Sequence, residues 1–298
     1  MTTTSAVLTE GQARATLAEA LDATNVIERG PIELIRIGSN AVFYVGADVV
    51  ARVAPSIEHY ENARKQIDVS RWLGDCNYPA TRALEIQQPV IAGSQVVTFW
   101  RSISRTTRFA SAGTVGSLVR RLHELAAPRD LVLPDLEPFG VGEVPDFAGL
   151  TAADSCYLVE AIHWGRETFR RLPYALPFGH IHGDANVGNV ILDDSGDGVV
   201  IDLDGFSLGP REWDLIQTAI FYDRLGWHSR DEYLSFVEAY GYDLLRWEGY
   251  PELAKIREIA MTSWLSRKAA GSAATAKEAT KRIDAIRTGA SRRDWGAY

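Results

Sequence analysis

The sequence predicts an α+β fold of two lobes, with a small antiparallel sheet and a helix in the first lobe and mainly helices in the second. Two observations carry this prediction. In the first third of the 298-residue chain, five short β-prone runs surround one amphipathic helical stretch. After residue 100 the strand signals nearly stop and helical periodicity dominates. We therefore expect an N-terminal lobe at residues 1–100 and a C-terminal lobe at 101–298.

Each element of the first lobe has its own local signal. An amphipathic helix with Thr9 as its N-cap precedes the runs ELIRI, AVFYV and VVARV, which the turns GSN and GAD separate into an antiparallel meander. Ser56 is predicted to cap a helix that ends near Leu73. Strands at 82–86 and 95–100 complete a five-stranded antiparallel sheet with one helix.

The second lobe is predicted to consist mainly of helices. Residues 127–149 contain four prolines and no periodicity, so we expect a long connection there. Ser229 with Glu232 three residues later is typical of a capping box at a helix start. Further helices are predicted at residues 114–126, 151–172, 252–270 and 274–288.

Composition limits the classes of protein to consider. With 46% hydrophobic and 23% charged residues, the chain is typical of a globular protein, and no apolar run reaches the length of a membrane span. The formal net charge of −8 argues against nucleic acid as a partner. The first residues lack the basic and apolar regions of a secretion signal, and the two cysteines show no metal-binding spacing. We expect a cytoplasmic protein with no membrane or nucleic-acid partner.

The segment from His180 to Asp204 carries the clearest chemical signal. Two apolar runs flank a polar turn and predict a β-hairpin, with a polar loop before it and carboxylates after it. Asn189 follows Asp184 by five residues, which is the spacing of the kinase catalytic loop, and Asp202 follows one hairpin later. We therefore expect these three side chains to converge on one site.

Phosphoryl transfer explains why these residue types occur together. The reaction needs an acceptor hydroxyl held in line and divalent ions that neutralise charge on the phosphates. Asp184 can orient the hydroxyl and accept its proton, which would make it the catalytic residue. Asn189 and Asp202 offer the oxygen ligands that Mg²⁺ prefers. The alternative is a loop Asp and a turn Asn that satisfy local backbone groups.

The stretch HGDANVGNVIL, followed by VVIDLD and GPREWDL, resembles the aminoglycoside phosphotransferase family of kinase-like enzymes. The similarity extends over about 32–264. It implies a protein-kinase-like bilobal fold, ATP or GTP as phosphoryl donor, and transfer to a hydroxyl of a small molecule. On this resemblance Asp184 matches the catalytic Asp, while Asn189 and Asp202 match the metal ligands.

The resemblance also implies a nucleotide site in the first lobe. Ser39 and Asn40 fall where the family's loop covers the nucleotide phosphates, although GSN serves equally well as an ordinary hairpin turn. Arg52 occupies the place of the phosphate-binding Lys and offers a positive fork to phosphate oxygens. Its helix partner is Gln66 where the family has Glu, and Gln brings no charge. Glu61 could replace Gln66 only in a different helix register.

Four further residues carry two interpretations each. Phe99 and Trp100 fall where the hinge would meet the adenine, and the alternative is that both belong to the core. Asp204 either faces the ligands or is a solvated strand end. Asp214, in GPREWDL, matches a residue that braces the catalytic loop in the family, and the alternative is that it touches the substrate.

Two other functions stay open at this stage. Gln66 and the missing Lys would also suit a nucleotide-binding pseudokinase. The pattern His180-x-His182-x-Asp184 would suit a metal-dependent hydrolase with Zn²⁺ or Fe, since imidazoles bind these ions. The acceptor is not predicted. A group of carboxylates on one helical stretch would suit a cationic acceptor or be a solvated face: Asp231, Glu232, Glu238 and Asp243.

Overall fold

A computed structural model describes residues 8–24, 30–128, 130–144 and 147–297. Pro145 of the proline-rich connection and the first seven residues therefore lie outside the described residues. The strands are β1 (Ile32–Ile37), β2 (Ala41–Val45), β3 (Val49–Ala54), β4 (Val90–Ala92), β5 (Gln95–Arg101), β6 (Phe178–Ile181), β7 (Val190–Leu192), β8 (Gly198–Val200) and β9 (Ser207–Pro210). The α-helices are α1 (Glu10–Thr24), α2 (Tyr60–Asp75), α3 (Ala112–Glu124), α4 (Ala152–Phe169), α5 (Glu212–Asp223), α6 (Arg230–Tyr240), α7 (Tyr250–Ser266) and α8 (Ala273–Thr288).

The chain divides into two compact units that are not continuous in sequence. The first unit contains the residues through Ala110 together with Leu125–Leu133 and Val187–Phe206. The second contains Ser111–Glu124, Pro134–Asn186 and the residues from Ser207 onward. The lobe boundary expected at residue 100 stays a prediction. By its contacts the β7–β8 hairpin belongs to the first unit, although it follows residue 100 in sequence.

A five-stranded antiparallel sheet forms the centre of the first unit, in the order β1-β2-β3-β5-β4. Helix α1 contributes Leu17 to a core that also contains Phe43 from β2 and Phe99 from β5, and all three side chains are fully buried. This core removes apolar area from water on the α1 side of the sheet, which is the main stabilising term for a small lobe. The predicted fold class is confirmed.

The fourth strand lies later in the chain than predicted. At 82–86 only Ala83 forms a bridge, to Trp100, while β4 begins at Val90. The side-chain amide of Gln88 explains the difference. It donates to the Leu84 carbonyl at 2.8 Å and accepts from the Phe99 N–H at 2.7 Å, and so occupies backbone groups that a continued strand pair would use.

One of the two predicted caps in this unit is confirmed and the other is wrong. Gln12 donates its backbone N–H to the Thr9 hydroxyl at 3.4 Å at the start of α1. Before α2, a short 3₁₀ turn covers Ile57–His59, and the hydroxyl of Ser56 meets the ring Nδ1 of His59 at 3.2 Å instead of a helix N–H. The ring nitrogen thus replaces the backbone donor that the cap prediction requires.

The β7–β8 hairpin has the predicted form. Asp193 closes its turn by accepting the backbone N–H groups of Ser195 and Asp197, both at 2.9 Å. Backbone hydrogen bonds from Ala110 to Val190 and from Thr81 to Val200 attach the hairpin to the rest of the first unit. The segment that carries Asn189 and Asp202 is therefore anchored at both edges.

The second unit is mainly helical, with the two-stranded ladder of β6 and β9 between helices. Helix α6 begins with the predicted capping box, in which Glu232 accepts from the Ser229 N–H at 2.7 Å and the Ser229 hydroxyl accepts from the Glu232 N–H at 3.2 Å. Thr151 caps α4 in a similar way. No described helix combines the length and apolar composition needed to cross a membrane.

Candidate active site

The first unit presents Asn189 and Asp202 on neighbouring backbone segments. Asn189 ends a 3₁₀ turn before β7, and its carbonyl accepts the N–H of Ile201, one residue before Asp202, at 2.9 Å. Asp202 has φ +62° and ψ +68°, a left-handed conformation that is uncommon for residues other than glycine. Such a conformation is typical of functional sites, where the fold fixes a side chain in one direction. A carboxylate and an amide oxygen form a donor set that fits Mg²⁺.

Asp204 and Lys65 are linked a short distance from this pair. The ammonium group of Lys65 donates to the backbone carbonyl of Asp204 at 2.6 Å. Desolvation, followed by the neighbouring Asp202 carboxylate, raises the pKa of Asp204, against the opposing charges of Arg52 and Lys65. Desolvation also lowers the pKa of Lys65, despite the attraction of Asp204. Asp204 is exposed to solvent in a 3₁₀ turn, Leu203–Gly205, near these charged groups, so both interpretations given for it stay predictions.

A cavity of about 540 Å³, including its part open to solvent, lies in the first unit. It contains Ser39, Asn40 and Arg52, which are three of the residues predicted to bind the nucleotide. Hydroxyl, amide and guanidinium groups can all donate hydrogen bonds to phosphate oxygens. The other residues that line it are Ala54, His59, Asn62, Ala63, Gln66, Val96, Thr98 and Asp204.

Arg52 has the helix partner that the sequence indicated. Its Nη1 group donates to the Gln66 side-chain oxygen at 3.4 Å, and its guanidinium carbon lies 5.3 Å from the centre of the Trp100 ring. Glu61 has a side chain that is 77% exposed and pairs with Arg64, so it does not replace Gln66. A neutral amide at 3.4 Å positions Arg52 less firmly than a carboxylate would.

Phe99 and Trp100 occupy the core, the second of the two interpretations given for them. Phe99 is fully buried beneath α1, and Trp100 is 2% exposed and packs with Ile67 of α2. The Trp100 indole N–H donates to the Thr98 hydroxyl at 2.8 Å. As side-chain contacts of a nucleotide these two residues are therefore corrected, because neither ring has an accessible face of any size.

In the second unit, buried Asp214 holds the loop that carries Asp184. Its carboxylate accepts the backbone N–H groups of His182 at 2.7 Å and Gly183 at 2.8 Å, and it also meets His123 Nε2 at 3.0 Å. Gly183 has φ +85°, which a residue with a side chain adopts only with strain. Three partners on one fully buried carboxylate fix the backbone direction immediately before Asp184.

The same contacts keep Asp214 ionised. Burial alone would raise the pKa of Asp214, but the hydrogen bond and charge of His123, together with His182, lower it below its ordinary value. His123 is in turn held by a hydrogen bond between its Nδ1 and the hydroxyl of Tyr240 at 2.9 Å. The interpretation of Asp214 as a brace agrees with this geometry.

Asp184 meets an arginine from α7. Arg257 Nη2 lies 2.5 Å from Asp184 Oδ1 and also donates to the side-chain oxygen of Gln217. The Arg257 side chain is 12% exposed and its guanidinium carbon lies 5.1 Å from the centre of the Trp213 ring, whereas the Asp184 side chain is 45% exposed. The candidate catalytic carboxylate is therefore accessible and faces a fixed cation.

The metal-hydrolase hypothesis does not fit the second unit. His180 is buried, and its Nε2 meets the Leu122 carbonyl at 2.8 Å, while His182 Nδ1 accepts the Asp184 N–H at 3.3 Å. Within the described residues no group of three His, Cys, Asp or Glu side chains could hold a metal ion. The His180 ring contacts the backbone of α3 and the His182 ring contacts the backbone of the loop, so the histidine pattern is structural.

Some site residues were not found from the sequence. Thr98 lies opposite Arg52 in the β3–β5 register, so the strand pairing could have indicated it. Lys65 directly precedes Gln66 and could have been considered with it. Arg257 follows Asp184 by 73 residues and belongs to no motif, so only the folded chain brings the two together.

The first unit has a five-stranded sheet with a helix, and the second unit is mainly helical. Together these are the elements of a kinase-like fold. Residues 32–256 match the model of the phosphotransferase enzyme family. The chain belongs to this family, which confirms the predicted resemblance. No curated protein matches the chain in sequence.

Several solved structures share the fold at low sequence identity. An amicoumacin kinase in complex with AMP-PNP, Ca²⁺ and Ami is 12% identical, with a TM-score of 0.73 over 98% of this chain and 97% of that one. A choline/ethanolamine kinase family protein from Mesorhizobium loti is 18% identical, with a TM-score of 0.63 over 92% and 95%. A spectinomycin phosphotransferase in complex with ADP and spectinomycin is 15% identical, with a TM-score of 0.61 over 91% and 93%.

Proposed function

We propose that this protein transfers the γ-phosphoryl group of ATP or GTP to a hydroxyl of a small molecule. The observation that carries the proposal is the brace on the Asp184 loop. Fully buried Asp214 accepts hydrogen bonds from two backbone N–H groups and also contacts His123 Nε2. Such a brace costs a buried charge, so it is expected where the direction of one following side chain matters. That side chain is Asp184.

Asp184 orients the acceptor and takes its proton. Its carboxylate accepts a hydrogen bond from the acceptor hydroxyl, which aligns the hydroxyl oxygen with the γ-phosphorus. As the new O–P bond forms and the bond to the leaving nucleoside diphosphate breaks, the hydroxyl proton passes to Asp184. Most of the rate enhancement comes from positioning and from charges aimed at the phosphoryl oxygens.

The first unit supplies the groups that bind the donor. Asn189 and Asp202 would hold Mg²⁺, which supplies positive charge to the phosphate oxygens when it is bound. Arg52 offers a guanidinium to the phosphates, and Ser39 and Asn40 offer donors from the turn that lines the same cavity. The left-handed backbone conformation of Asp202 fixes the direction of its carboxylate.

The names of structurally similar proteins are consistent with this class of reaction. Two of the structures described above are complexes with the nucleotides AMP-PNP and ADP, and a further neighbour with a TM-score of 0.64 is a complex with GDP and kanamycin. These complexes support a nucleotide donor and a small-molecule acceptor. Because they cover both adenine and guanine nucleotides, we retain ATP and GTP as candidate donors.

A nucleotide-binding pseudokinase is the alternative that one observation favours. The partner of Arg52 is a neutral glutamine at 3.4 Å, where an ion pair would position the cation more tightly. In that case the cavity in the first unit would bind a nucleotide, while Asp184 would have no acceptor to activate.

Nucleotide binding and turnover separate these functions. We expect Mg·ATP or Mg·GTP to raise the melting temperature of the wild-type chain, since a ligand of the native state stabilises it. Asp202→Asn should lose the metal-dependent part of this shift, whereas Asp197→Asn, in the exposed hairpin turn, should retain it. A panel of hydroxylated metabolites and antibiotics is then tested for acceptor-dependent release of nucleoside diphosphate. A shift without any turnover would favour the pseudokinase, and no shift with either nucleotide would contradict the proposal.

A further inference from the structure

The contact between Arg257 and Asp184 places a permanent cation beside the candidate catalytic carboxylate. A guanidinium stays protonated throughout the range in which proteins are folded. The Arg257 side chain is held on two sides, by the Gln217 oxygen and by the face of the Trp213 ring. The cation is therefore part of the built site and not a mobile surface group.

The donors of Arg257 are only partly used. Nη2 serves both Asp184 and Gln217, while Nε is buried and has no hydrogen-bond partner. Among the described residues no hydrogen bond uses Nη1. Buried polar groups in native proteins normally have partners, and an arginine fork can present two parallel N–H groups to a carboxylate or a phosphate. The unused Nη1 group, which is not among the buried donors, is suited to an anion that arrives with the substrate.

The fully buried carboxylates of the second unit are not open to an incoming amine. Asp214 is occupied by the loop and His123, and Glu258 by Arg224 and Arg292. Glu212 accepts the Ala175 and Leu176 N–H groups at one oxygen, and its second oxygen is buried without a partner.

The acidic group considered earlier for a cationic acceptor has a structural explanation. Glu232 closes the capping box of α6, and Asp243 accepts the Tyr233 hydroxyl at 2.8 Å and the Leu245 N–H at 3.2 Å. Asp231 and Glu238 are exposed to solvent on the same helix. These carboxylates stabilise helix ends or are hydrated.

We propose that Arg257 binds an anionic group of the acceptor, a carboxylate or a phosphate, and so selects acidic hydroxylated small molecules. The inference rests on the proposed phosphoryl transfer and adds the chemical class of the acceptor. An acceptor ammonium group at the same position would face the guanidinium, and like charges brought together at a binding site oppose association. An acceptor anion shares the guanidinium with Asp184 and places its hydroxyl beside the carboxylate.

The test compares acceptors of related structure that do or do not carry an anionic group. Gluconate and glucose 6-phosphate carry an anion that glucose and glucosamine lack, and homoserine carries a carboxylate that its methyl ester lacks. Each is assayed with Mg·ATP and Mg·GTP for diphosphate release and for binding by thermal shift. We expect the wild type to prefer an acceptor with an anionic group over the related acceptor without one at least tenfold in kcat/KM. Comparison of gluconate with glucose 6-phosphate shows whether the site favours a carboxylate or a phosphate.

Variants of Arg257 assign this preference to the guanidinium. Arg257→Gln should raise KM for the anionic acceptor at least tenfold more than it raises KM for the neutral one, and Arg257→Lys should keep part of the preference. Arg246→Gln, at a side chain that is 87% exposed, is the matched control and should behave as the wild type.

Three results would overturn the inference. The first is a wild type that transfers phosphoryl groups but prefers no anionic acceptor, or that binds none of the anionic acceptors. The second is an equal loss of kcat for all acceptors in Arg257→Gln with KM unchanged, which would make Arg257 a positioning residue for Asp184 only. The third is a wild type with no nucleotide-dependent shift, which would overturn the proposed function together with the inference.

Discussion

At the scale of single residues, Asp214 is a fully buried carboxylate that holds the loop before Asp184. A fully buried carboxylate must recover its lost hydration from internal partners, and Asp214 does so with the two N–H groups of His182 and Gly183 and with His123. All of these partners except His123 lie in the two residues before Asp184. The hydrogen bonds that stabilise the buried Asp214 charge therefore also fix the backbone of the loop before Asp184.

We expect Asp214→Asn to lower the free energy of unfolding by about 2–4 kcal/mol, because an amide cannot accept all of these hydrogen bonds and removes the charge opposite His123. The pKa of Asp214 is lowered in the folded state. Its contribution is therefore fully present above the unfolded-state value of about 3.9 and is lost as the pH falls through the folded-state pKa. Urea unfolding of both proteins between pH 8 and pH 3 measures the difference.

Asp284→Asn is the control for Asp214→Asn. Asp284 pairs with Arg287 at 2.7 Å, but its side chain is 56% exposed, so we expect a change below about 0.5 kcal/mol. The difference between wild type and Asp214→Asn should be constant from pH 8 to pH 5 and shrink below about pH 4. A difference that grows toward low pH would contradict the assignment of an ionised brace.

How far these residues could be predicted depends on whether they share a local segment. Asp184, Asn189 and Asp202 follow from spacing, because one loop and one hairpin carry all three. The predicted role of Phe99 and Trp100 failed for their side chains because a strand residue faces either the core or the ligand, and the sequence does not fix which. Arg257 was missed because its proximity to Asp184 depends on how α7 packs.

At the scale of elements, helix α3 brings His123 to the brace through a close contact with α6. A Cβ atom at Gly116 would lie 2.6 Å from the Phe236 carbonyl oxygen and 3.2 Å from the Ala239 Cβ. The two helix backbones approach closely only because position 116 has no side chain. The same helices also place His123 against Tyr240 at 2.9 Å.

We expect Gly116→Ala to destabilise the protein by about 1–3 kcal/mol, since α3 and α6 must separate to admit the methyl group. The gain in helix propensity from Gly to Ala, about 1 kcal/mol, offsets only part of this cost. Gly113→Ala is the matched control on the same helix, because its Cβ would meet Ser235 at 3.5 Å, an ordinary contact. Its stability should be unchanged or slightly higher. Equal thermal-melting shifts for the two variants would contradict the close-packing account.

Most elements could be predicted because their signals are local, as the capping box at Ser229 and the turn after β7 illustrate. The exceptions have local causes that a pattern does not reveal. The side chain of Gln88 replaces backbone pairing near Leu84, and the ring of His59 takes the hydroxyl of Ser56 that was expected to cap α2. In both cases a side chain competes with the backbone for the same hydrogen bond.

At the scale of the whole molecule, the candidate residues of each unit come from segments far apart in sequence. Arg52 and Gln66 belong with Asp204 to the first unit, while Asp184 belongs with Arg257 to the second. Composition predicted two lobes, but contacts assign the β7–β8 hairpin to the first unit, which no local pattern shows. We propose that such a chain moves a phosphoryl group by way of Asp184.

Direct transfer of label from [γ-³²P]ATP or [γ-³²P]GTP to the best acceptor of the panel tests this claim. We expect Asp184→Asn to lose phosphoryl transfer by a factor of about 10² to 10⁴, because the proton acceptor is gone, while its nucleotide-dependent melting shift remains. Asp194→Asn, in the exposed hairpin turn, should transfer label as the wild type does. Labelled phosphate ester formed by Asp184→Asn at the wild-type rate would contradict the account.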